Sequence, residues 1–119
     1  MASLGLKGPF VLDYDTINEK ITKKNAGNYA LGSPSSSGGL IVQYVGRSDT
    51  DLNARLKQHA TTGTYTHFKF DYATSPKAAF EKECHNFHDF GEEIKLANAM
   101  HPDRPKDANW KCPACNKFD

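Results

Sequence analysis

Residues 27–59, GNYALGSPSSSGGLIVQYVGRSDTDLNARLKQH, decide the fold. The segment 28–31 is short and mainly apolar, and reads as a strand. Residues 32–39 are Ser, Gly, Pro and little else, a loop too polar to pack. Residues 40–45 are apolar and rich in β-branched types, so they predict a second strand and, across the loop, a hairpin. After Gly46 the chain turns through 47–51 into a helix predicted over 52–59. Asp49 or Thr50 is its expected N-cap, with Asp51 in the first turn.

Working outward, residues 12–24 predict an N-terminal helix, capped by Asp13 or Asp15, with Leu12, Ile17 and Ile21 on one stripe. On the other side, residues 65–72 alternate: Tyr65, His67, Lys69 and Asp71 share one face, which marks a third strand. Ser75 and Pro76 are an N-cap and first-turn pair for a helix over 77–90, whose core residues are Ala79, Phe80, Phe87 and Phe90. A further helix is expected over 92–98. From His101 the tail has no helical or strand period and needs a staple to be ordered. The expected class is α+β: a small three-stranded antiparallel sheet flanked by helices, with a zinc-stapled C-terminal tail. One domain is expected over 1–119, made of a core at 27–98, the N-terminal helix at 12–24 and the tail at 99–119.

Composition limits what such a chain does. Its 119 residues suit one modest core. Apolar residues are 38% and charged residues 24%, an ordinary globular balance. There is no apolar run near the ~20 residues of a membrane span, and the start is unlike a signal peptide, so the expected location is the cytoplasm. A net charge of +1 gives little support for phosphate tracking, although 15 basic side chains can still gather on one face.

Two of the three cysteines form Cys112-Pro113-Ala114-Cys115, a two-ligand zinc knuckle. Cys84 and His88 stand at i, i+4 on the predicted helix and project from one face, which makes them the expected second pair. His101 can replace Cys84 or His88, and His85 is a weaker substitute. Zinc held by Cys84, His88, Cys112 and Cys115 would pin the tail, a structural role.

Taken as an ordered set, Gly27-Asn28-Tyr29, Tyr44-Val45-Gly46, Arg55, a glutamate on the 77–90 helix and Asn98 resemble the GIY-YIG nuclease family over about 27–98. The resemblance implies a metal-dependent endonuclease that hydrolyses DNA phosphodiester bonds, acting in repair or in a mobile element. It implies one divalent cation, Mg²⁺ or Mn²⁺, held by a single glutamate, and a tyrosine, Tyr29, that takes or relays a proton from water. Arg55 would hold the phosphate, His59 one turn on would act at the same centre, and Tyr44 and Asn98 would orient water, phosphate or neighbouring side chains. Glu83 is the expected cation ligand, because Ala79 stands four residues before it and Asn98 fifteen after; Glu81 is the alternative. His67 is a further candidate for a base or phosphate contact. Three features depart from the family pattern: Asn28 in the middle of the first signature, the Ser/Gly loop, and Arg47 directly after the second. The first of these and the neutral charge favour an alternative, a non-catalytic module on a nuclease-like scaffold that binds nucleic acid or a protein partner. A purely structural zinc protein is a third reading.

Overall fold

The computed structural model describes residues 6–36 and 38–89. The helix expected over 92–98, the tail at 99–119, and with them Asn98, His101, Cys112 and Cys115, lie outside the described residues. Among the described residues the order is β1 (Lys7–Val11), α1 (Tyr14–Lys20), β2 (Gly27–Pro34), β3 (Leu40–Ser48), α2 (Leu52–Thr62), β4 (His67–Tyr72) and α3 (Pro76–Asp89). The architecture is α+β, with one antiparallel sheet in the order β1-β4-β2-β3.

The sheet has four strands, not the expected three. β1 was missed because Gly8-Pro9 interrupts its apolar pattern. It lies at an edge of the sheet, where the missing proline N–H costs no ladder bond, and Phe10 stacks on Phe68 and Phe70 of β4. The hairpin is longer than its side chains announce. Gly32, Ser33 and Pro34 continue β2 by pairing with Val42, Ile41 and Leu40, and β3 runs on to Ser48. The register slips between Leu31 and Gly32, where a Cβ on Gly32 would collide with the Ile41 carbonyl.

α1 is shorter than the expected 12–24. Asp13 caps it by accepting from the Thr16 amide at 2.7 Å. Beyond Lys20, the amides of Thr22 and Lys23 donate to the Tyr72 hydroxyl at 3.0 and 3.2 Å, so they leave the helical ladder. α2 is capped by Asp51, not by Asp49 or Thr50: its carboxylate accepts from the Ala54 amide at 3.2 Å. Gly63, in the left-handed region at φ 70°, ends α2. Ser75 caps α3 as expected, its hydroxyl accepting from the Ala78 amide at 3.1 Å.

Helices cover both faces of the sheet. On one, Ile17 and Ile21 of the α1 region and Leu52 and Leu56 of α2 pack on Tyr29, Leu31, Phe68 and Phe70. On the other, α3 sets Phe87 against Ala30 and Val45. Burying each of these side chains is worth roughly 1.5–3 kcal/mol, so this sandwich sets the stability of the fold. Alternation along β2 and β3 then divides the site. Tyr29 faces α2, whereas its neighbour Asn28 and the cross-strand partner Arg47 face α3.

Candidate active site

Tyr29 is fully buried in β2, opposite Gly46 of β3. A side chain at Gly46 would run into the Tyr29 ring and hydroxyl, so glycine is required there to let the tyrosine lie across the edge strand. The hydroxyl sits 2.8 Å from His59 Nε2, and Arg55 Nε donates to it at 3.4 Å. Arg55 and His59 are one turn apart on α2 and so reach the same oxygen. Arginine only donates, so the phenol oxygen accepts from Arg55, and its proton has His59 Nε2 within reach whenever that nitrogen is bare.

Tyr44 lies beside this chain. Its ring is 6.4 Å from that of Tyr29 and nearly parallel to it, and 5.5 Å from that of His59. Tyr65 adds a fourth ring, 6.3 Å from Tyr44. The sequence reading placed Tyr65 only in a strand. It lies just before β4, and the available signal was an aromatic residue beside the hairpin.

Glu83 approaches from the other face of the sheet. It is 8% exposed, and its Oε1 accepts from Arg47 Nη1 at 2.5 Å. Arg47 Nε donates in turn to Asp49 at 2.9 Å, and the guanidinium stacks 5.0 Å over the Phe80 ring. Arg47, which in the sequence is only a departure from a pattern, is thus the partner of the expected carboxylate. Glu83, not Glu81, makes this contact. Asn28, the other departure, is 1% exposed and donates to the Ala79 carbonyl at 2.8 Å, tying β2 to α3.

Electrostatics join the two halves. Glu83 contributes, as a lesser cause, to the upward shifts at Tyr29, Tyr44 and Arg55. Burial pushes the Tyr29 phenol far above its ordinary value, with Tyr44 adding to the shift, and the Arg55 contact only partly offsets this. Burial also raises Tyr44, with Glu83 adding to it. Tyr29 is therefore a neutral phenol at rest and not a tyrosinate. Burial, then the charge of Arg55, lowers His59 below its ordinary value, which favours the neutral imidazole at neutral pH. Burial raises the Glu83 carboxyl and Arg47 pulls it back.

Glu83 suits a hard cation of the Mg²⁺ kind, which takes oxygen donors and is often bound by one carboxylate, waters and a substrate phosphate. With Oε1 on Arg47, Oε2 is the oxygen that would serve. Among the described residues no group of three or more His, Cys, Asp and Glu is placed to hold a metal ion. Of the expected zinc ligands, Cys84 is fully buried on α3 and His88, one turn on, is half-buried; Cys112 and Cys115 lie outside the described residues. His67 bonds to the Thr66 hydroxyl at 2.9 Å and pairs with Gly32, away from Tyr29, which pairs with Phe70. No helix among the described residues is long and apolar enough to cross a membrane.

The structure thus brings together Tyr29, Tyr44, Arg55 and His59 on one side of β3 and Glu83 with Arg47 on the other. No family model, no curated protein and no solved structure matches the chain.

Proposed function

We propose that the protein is a metal-dependent endonuclease that hydrolyses DNA phosphodiester bonds at the edge of β3. The observation that carries this reading is the Tyr29 hydroxyl set between Arg55, which donates to it, and His59 Nε2 at 2.8 Å, with Glu83 on the adjoining helix α3. A water attacking phosphorus must lose a proton as the new P–O bond forms and the ester P–O bond breaks. Tyr29 can accept that proton on its oxygen while passing its own to His59 Nε2, so a buried phenol takes part without ever becoming a tyrosinate. Arg55 is exposed on α2, with Nη1 donating to Gln58, and carries the positive charge that a phosphate needs. Tyr44 limits where the phosphate and water can sit. Mg²⁺ or Mn²⁺ at Glu83 would supply charge neutralisation at the phosphate oxygens. A separate zinc on Cys84, His88, Cys112 and Cys115 would be structural and would order the tail.

One observation favours a second reading. Glu83 is already satisfied by Arg47, as in a scaffold that binds nucleic acid without cutting it. A panel of labelled duplex, branched and single-stranded DNA with Mg²⁺ or Mn²⁺ separates the two. Metal-dependent cutting that is lost in Glu83→Ala supports the nuclease; binding with no cutting in any lane supports the module.

A further inference from the structure

We infer that Arg47 is a positioning residue, which, anchored by Asp49 and Phe80, holds the Glu83 carboxylate at the edge of β3 beside the tyrosine cluster. The inference rests on the proposed nuclease reading only for its catalytic consequence. Three contacts carry it. The Arg47 side chain is 12% exposed and that of Glu83 10%, so neither is a surface charge that finds a partner by chance. Arg47 uses different nitrogens for its two carboxylates, Nη1 for Glu83 and Nε for Asp49, a geometry that only the planar guanidinium fork provides. Phe80 closes the remaining face of that plane.

The connectivity says why such a clamp is needed. Glu83 belongs to α3, which lies on the opposite side of the sheet from α2, yet its charge reaches Tyr29, Tyr44 and Arg55 of the α2 side. Arg47 follows Gly46 directly, so the clamp is built on the residue next to the one that faces Tyr29. Asp49 in turn sits two residues beyond Arg47, at the end of the same strand. The carboxylate is therefore referred to β3 and not merely to its own helix.

The test uses the full chain with ¹³C-labelled tyrosine rings. Glu83→Gln identifies the tyrosine signals that sense the carboxylate. Arg47→Lys keeps the charge and loses the fork; Asp49→Asn keeps Arg47 and loses its anchor. Both are expected to keep the fold, judged by the amide spectrum, and to move the Tyr29 and Tyr44 signals in the sense of Glu83→Gln. In the cleavage assay both are expected to lower kcat roughly 10- to 100-fold, the usual cost of losing an outer support, while KM for DNA changes little. Folded Arg47→Lys and Asp49→Asn proteins with wild-type tyrosine signals would overturn the inference, as would a Glu83→Gln protein that leaves those signals unmoved. Should Arg47→Lys fail to fold, Asp49→Asn alone decides. A wild-type protein that cuts no DNA overturns the nuclease reading and leaves the tyrosine spectra to judge the clamp.

Discussion

In the proposed reaction Tyr29 is the central group, and its surroundings explain how a phenol with so high a proton affinity would take part. The phenol is held between a donor it cannot protonate, Arg55, and an acceptor, His59, that burial and Arg55 keep neutral. Protonated His59 can no longer accept. Because its folded-state pKa lies below the ordinary 6.5, cleavage is expected to hold down to that pH and then to fall as pH drops further. His59→Gln should abolish that acid limb along with most of the rate; a limb retained in the variant would assign it to another group. Gly46 makes a second residue-scale case. In Gly46→Ala the new methyl must displace the Tyr29 ring, so the variant is expected to lose about 1–3 kcal/mol by urea unfolding. Tyrosines 29 and 44, Arg55 and His59 were singled out by the ordered set that resembles the GIY-YIG family, and the fold brings the four together. Arg47 was not. Its partner lies 36 residues away on another element, and nothing local in Gly46-Arg47-Ser48 points there.

The elements carry the site through a few side chains that bind backbone. Asn28 is the main one. Its amide takes the Ala79 carbonyl and fixes α3, hence Glu83, against β2. Asn28→Leu is expected to cost about 0.5–1.5 kcal/mol by removing that buried hydrogen bond, and to lower cleavage more than its stability loss alone accounts for. Full cleavage in a destabilised Asn28→Leu protein would separate α3 placement from function. The hairpin, α2, β4 and α3 could be read from local pattern, since turn residues and alternation agree there, as does the Ser75 cap of α3. What escaped was set by pairing rather than by pattern. β1 forms because Phe10 has Phe68 and Phe70 to meet, and β2 extends through Gly32 to Pro34 because β3 offers backbone partners. α1 stops early because Tyr72, fifty residues on, captures the Thr22 amide. The cap of α2 moved to Asp51 for a local reason: the Ser48 hydroxyl accepts from the Asp51 amide at 2.9 Å and sets the turn that precedes the helix.

At the scale of the whole molecule the sheet is a partition: among the described residues Tyr29, Tyr44 and α2 lie on one side, α3 and the Glu83 carboxylate on the other. Full-length protein is expected to carry a single tightly held zinc, and its removal by chelation should lower Tm without removing the Tyr29–His59 contact; metal analysis of the purified chain and tyrosine ring spectra check both. The measurement that bears most directly on the central claim is single-turnover cleavage of DNA by wild type and Tyr29→Phe, with Mg²⁺ and saturating protein. The expected result is metal-dependent cutting by the wild type that falls roughly 100- to 10,000-fold in the variant, the range for losing a proton-transfer group, with DNA binding unchanged. Equal rates in the two proteins, or no cutting by the wild type, would contradict it.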